Sequence, residues 1–195
     1  MIRDESIISE NLPKRQKTSS RERIISIEKY AYSKLKRRYE ERIAVSECFM
    51  QDVMQHSKVL TINKNDYLSR AGRHQDSIFY LAKGCLSMSI ITGEGEEKVV
   101  GLYAENNIDI VTCPDSYAFN RISDYQLRVR EDSIIVFYSK AFHYELLSKY
   151  PEFVKFCNEE TEYMYSVNIE IHDHMLSLSK NLFLIVKACD HEFLC

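Results

Sequence analysis

The chain has no run of about eighteen apolar residues, so nothing in it reads as a membrane-spanning helix. Its first sixteen residues (MIRDESIISENLPKRQ) are too polar for a secretory leader. The six cysteines form no CxxC pair, and their scatter gives no iron–sulfur or zinc spacing. With no export signal, the expectation is a reducing cytoplasm in which the thiols act as small buried hydrophobes. The chain also lacks a P-loop, a GxGxxG turn, an HExxH pair and a nucleophile elbow. No catalytic constellation remains, and the expectation is a protein without enzymatic activity or cofactor.

What is present is the balance of a globular protein: 45% hydrophobic and 28% charged in 195 residues. Charge is uneven. Residues 1–42 hold 12 Lys/Arg against 7 Asp/Glu, and residues 43–195 hold 14 against 22. A basic arm on an acidic body is a mild pointer to an acidic partner, and equally describes a solvated helix face.

Periodicity divides the chain into four parts. Residues 1–20 read as a flexible basic tail with Pro13 and the cluster Lys14, Arg15 and Lys17. Residues 21–56 carry apolar positions at helical spacing (Ile24, Ile27, Ala31, Leu35, Ile43, Phe49, Val53), with a break expected near Ala44 to Glu47. Residues 57–151 change period. Short β-like runs at about ten-residue spacing, punctuated by Gly72, Lys83-Gly84, GEGE and Glu131-Asp132, predict an antiparallel sandwich or barrel of jelly-roll type. That part closes with a short helix, KAFHYELLSKY, ended by Pro151. Residues 152–195 contain no Gly or Pro and read as a long helix. Cys157, Met164, Ile171 and Leu178 are spaced by seven, with Val167 and His174 at the second core position of the heptad. Such a seam predicts a homodimer through the C-terminal helix. Phe153, Phe156 and Tyr163 are left to pack on the β-part. Two copies of His174 across a dimer axis would repel when protonated.

This order resembles the effector domain of the Crp/Fnr family of transcription regulators, a cyclic-nucleotide-binding-like β-roll. The resemblance is carried by KNDYLSRAG, SIFYLAKGCLSMSI, TGEGEEKVVGLYAENN and, most specifically, REDSIIVFYSKAFHYELLSKYPEF, and it spans residues 59–182. It implies an α+β fold with N-terminal helices, an antiparallel roll and a long C-terminal dimerisation helix. It also implies a possible small-molecule effector held in the irregular stretch 101–129. There the family's nucleotide-binding members place a carboxylate on the ribose and an arginine on the cyclic phosphate, as the chemistry of a sugar and an anion demands. In this chain the carboxylate position falls on Asp109, the preceding glycine on Ile108 and the arginine on Ser123. Arg121, two residues upstream, would share a face with Ser123 in a strand. Asp109, Arg121, Ser123 and Tyr125 are thus the candidate pocket residues, and the pattern speaks against cyclic AMP as the ligand.

A complete regulator of this family continues into a helix-turn-helix. Residues 177–195 resemble only its beginning, so the expectation is a truncated regulator that contacts DNA only if that element is supplied beyond residue 195. The alternative is a cyclic-nucleotide-binding regulatory subunit that controls a partner protein. His74 and Cys113 are conceivable axial ligands for a haem. His172 and His174 cannot share one ion on a helix, because i and i+2 point about 200° apart.

Overall fold

The computed structural model describes residues 20–177. Two helices come first, α1 (Ser20–Glu40) and α2 (Glu47–His56). Eight strands follow: β1 (Lys58–Ile62), β2 (Tyr67–Ser69), β3 (Ile78–Lys83), β4 (Cys85–Ile91), β5 (Glu97–Ala104), β6 (Ile110–Val111), β7 (Tyr125–Val129) and β8 (Ser133–Tyr138). A short helix α3 (Pro114–Phe119) interrupts the strands after β6, and α4 (Lys140–Lys149) and α5 (Pro151–Ser177) close the described chain. The strands form two antiparallel four-stranded sheets, ordered β1-β8-β3-β6 and β2-β7-β4-β5.

Strand β3 shows how the layers stack. Ile78 to Ala82 are all buried, because both faces of this strand are covered. Ile78, Tyr80 and Ala82 point to one side, where they join Ala31, Leu35 and Tyr39 of α1, Phe49 and Val53 of α2, and Phe153 and Phe156 of α5. Phe79 and Leu81 point to the other side, between the sheets, where they meet Leu86, Met88, Leu127, Val129 and Ile135. One core therefore lies between the first sheet and the helices, and a second fills the roll.

Local signals set the helix boundaries. Ser46 caps α2 by accepting from Phe49 N at 3.2 Å, and Ser139 caps α4 by accepting from Phe142 N at 3.2 Å. Pro151 forbids a helical Tyr150, so α4 ends there and α5 starts in a new direction. Tyr39 binds the helices together with edge-on contacts to Phe49 and Phe156, ring centroids 5.1 and 4.8 Å apart. The helical count at residues 21–56 holds with its break, but Ile24 is 56% exposed and lies outside the core. The buried positions of α1 begin at Ala31, one residue after Tyr30, whose hydroxyl donates to Ala82 O of β3 at 3.5 Å.

On α5, Phe153 and Phe156 pack on the body as their spacing predicted, and Tyr163 reaches Asn107 at 3.4 Å. Cys157 departs from the expected partner-facing seam. It belongs to the same inner face, its Sγ 4.0 Å from His143 Nε2, because i+1 and i+4 from Phe156 and Phe153 share that stripe. Met164 and Val167 are half-buried. The side chains of Ile171 and His174, and all of Leu178, lie outside the described residues.

Gly84 sits at the β3–β4 corner with φ +103°, and a Cβ there would run into the Ser133 side chain and approach Ser133 Cα to 3.0 Å. Replacing Gly84 with Ala should cost about 2–4 kcal/mol in urea unfolding. Adding Ser133→Gly should recover only part of it, since the positive φ remains.

Candidate functional site

The irregular stretch between β5 and β7 holds the elements that the sequence pattern missed. After Ala104 the chain turns through Asn106 at φ +62°, closed by Asn107 N to Ala104 O at 3.2 Å. It then pairs briefly with β3, Phe79 opposite Val111 and Tyr80 opposite Ile110. Pro114 opens α3 at a position that needs no amide donor, and Asn120 closes it in the left-handed conformation. Pro114 followed by Asp115 is the one sequence signal that could have announced this helix. A two-residue strand and a six-residue helix, however, are too short for any periodicity to reveal.

Asp109 lies at the start of this stretch and is 3% exposed. Its carboxylate turns toward the helices. Arg38 Nε donates to Oδ1 at 3.2 Å and Oδ2 at 3.1 Å, while Arg38 Nη2 donates to Glu160 Oε2 at 2.7 Å. Arg42 approaches the other Glu160 oxygen at 2.6 Å. Arg38 occupies the apolar stripe of α1, three residues after Leu35 and seven after Ala31, which is the one sequence sign of its burial. Burial lifts the Asp109 carboxyl to about 6, and Arg38 only partly offsets it. Burial works against the charge on Arg38, but Asp109 and Glu160 outweigh it and hold the guanidinium above its ordinary pKa.

The other three candidate residues do not join Asp109. Ser123 is fully buried, bridging Arg73 backbone to backbone, and its Oγ accepts from Tyr125 N at 3.1 Å. Arg121 is not in a strand, so the shared face expected with Ser123 does not arise. It follows the left-handed Asn120, and its guanidinium binds Asp115 Oδ1 at 2.7 Å with the side chain 63% exposed. Asp115 Oδ2 also accepts from Asp124 N at 3.2 Å. Tyr125 is half-buried at an open depression of about 570 Å³, beside Ala71, Ile90 and Ile91 and the two acids Asp115 and Asp124. Among the described residues, no basic one lines it. Behind it the roll is filled by Met88, Leu127, Tyr103 and their neighbours, with the Tyr103 hydroxyl 3.9 Å from Met88 Sδ.

Of the conceivable haem ligands, His74 Nε2 lies 3.0 Å from Asn120 Oδ1, and Cys113 is buried with its thiol pushed up by that burial. A raised thiol is a poor nucleophile and a poor ligand.

The architecture is similar in fold to cyclic-nucleotide-binding domains and regulator sensor domains of known structure. A solved cyclic nucleotide-binding domain from Methylobacillus flagellatus KT superposes with a TM-score of 0.61 at 11% identity, covering 77% of this chain and 84% of that one. DNR from Pseudomonas aeruginosa gives 0.53 at 16% identity over 82% of this chain and 65% of its own. A transcriptional regulator from Thermotoga maritima gives 0.52 at 15% over 67% and 98%. At these identities the likeness is one of fold. No protein-family profile matches the chain, and no curated protein sequence does.

The raised Asp109 pKa predicts an unusual pH dependence. A carboxyl at 3.8 when unfolded and about 6 when folded takes up protons on folding, so its contribution is full below about pH 4 and lost as pH rises through 6. The stability of the wild type relative to Asp109→Asn should therefore fall by roughly 2–3 kcal/mol between pH 4 and 7, measured by urea unfolding. A difference that grows with pH would contradict it.

Proposed function

We propose that the protein is a non-enzymatic regulatory module of the Crp/Fnr type, whose roll does not take a cyclic nucleotide and whose α5 pairs with a second copy. One observation carries this reading. At the position where an arginine would meet the cyclic phosphate stands Ser123, buried and bonded to its own backbone, beside a depression lined by Asp115 and Asp124. An anion entering there would meet two carboxylates, and Arg121 is already engaged by Asp115. Asp109 is likewise held by Arg38 and is not offered to a ribose. Calorimetry with cyclic AMP and cyclic GMP should give no saturable heat up to about 1 mM. Micromolar binding would overturn the reading.

The pairing rests on the outer part of α5. Beyond Glu160 the helix carries Met164 and Val167 half-buried and Tyr165 and Ile169 exposed, at 68% and 44%. Exposed apolar groups on a helix that projects from the body favour burial against another helix. Ile171, His174 and Leu178 extend the heptad in sequence. No helix-turn-helix occurs among the described residues. Sedimentation equilibrium should show a dimer at about 50 µM, reduced to monomer by Met164→Glu with Val167→Glu. A wild-type monomer at that concentration would contradict the pairing.

A further inference from the structure

A second cavity, of about 420 Å³, lies on the other side of the first sheet, between α1, the β5–β6 turn and α5. Its volume falls in the range of small-molecule sites. Four cations line it: Lys34, Arg37, Arg38 and Arg42. Two carboxylates, Asp109 and Glu41, line it as well. Asp109 accepts from the Arg38 Nε, Glu160 pairs with Arg38 at 2.7 Å and with Arg42 at 2.6 Å, and Glu41 lies 3.8 Å from Arg37 and from Arg38. Lys34 pairs with no carboxylate among the described residues, and its ammonium only lies 5.9 Å over the Tyr30 ring. The Arg37 side chain is 78% exposed. With Arg38 and Arg42 met by Asp109 and Glu160, the positive charge the cavity offers is that of Lys34 and the loosely paired Arg37.

Tyr80 adds an independent sign. The residue is 95% buried, at 5% exposure, yet its phenol lines the cavity and makes no hydrogen bond among the described residues. Its hydroxyl opens on the cavity as a free donor. The β5–β6 turn presents the Asn106 and Asn107 amides at the same opening. Guanidinium forks, an ammonium, a phenol and amides are the donor set that recognises phosphate oxygens.

We propose that this cavity binds a small phosphate-bearing molecule, with Lys34, Arg37 and the Tyr80 hydroxyl as its direct contacts. The site does not depend on the reading of the roll. Its ligand would touch α1 and the turn before Asp109, and lie beside the Arg42 and Tyr163 pair on the α5 side, guanidinium carbon 5.4 Å from the ring centroid. Occupancy would thus be felt by α5, the helix assigned to pairing.

The test is calorimetry on the full chain with pyrophosphate and ATP, with citrate as a polycarboxylate of similar charge. Both phosphate probes should bind with Kd below about 1 mM and compete with each other. The pair Lys34→Ala and Arg37→Ala should weaken them at least about tenfold, and Tyr80→Phe about threefold. Lys29→Ala, which removes an exposed charge elsewhere on α1, should change them less than about twofold. Circular dichroism on each variant separates lost binding from lost fold. Absence of binding up to about 5 mM, equal affinity for citrate, or an equal loss in Lys29→Ala would overturn the proposal. A cyclic nucleotide bound with affinity unchanged in Tyr80→Phe would instead count against the reading of the roll and leave this cavity untouched.

Discussion

The structure turns on one buried charge. The Arg38 guanidinium donates from Nε to Asp109 and from Nη2 to Glu160, and so joins α1, the turn after β5 and the middle of α5. A buried ion group of this kind is weak evidence for stability, since desolvation offsets much of the attraction. Its consequence is directional. Losing the guanidinium would leave two buried carboxylates facing each other, so the three elements must keep their relative positions. The Asp109 carboxylate is consumed in that joint.

That commitment explains the character of the stretch that follows. With Asp109 turned outward, nothing at its start can greet a sugar, and at its end Ser123 is folded into the backbone. The mouth of the roll keeps two acids, and the space behind is packed with Met88, Tyr103 and Leu127. The same helix that supplies Arg38 carries Lys34 and Arg37, with Arg42 in the turn that follows, along the opposite side of the sheet. At the mouth of the roll Arg121 is held by Asp115 at 2.7 Å, whereas Lys34 here has no paired carboxylate among the described residues.

Much of this architecture was legible in the sequence. Seven of the eight strands show as short apolar runs between Gly or Asp corners, and Pro151 marks the junction of α4 and α5 because proline acts locally. The short β6 and α3 were not, for they owe their form to pairing with β3 and to single-residue caps. Asp109 was recognisable as an acid in the right place, but its role was set by an arginine 71 residues upstream. A sequence pattern carries no record of such a pairing. Cys157 illustrates the same limit. Its heptad spacing is real, yet spacing alone does not tell which of two faces meets the body and which meets a partner.

The most direct test of the account is amide chemical-shift mapping of the isotopically labelled protein during titration with pyrophosphate. The account predicts that the perturbed resonances fall on residues 34–42, Tyr80 and 106–109, with the segment from Cys113 to Tyr125 unmoved. Perturbations gathered on Ser116, Ser123 and Tyr125 would contradict it, by showing that the roll still offers an anion site where the geometry has placed two carboxylates.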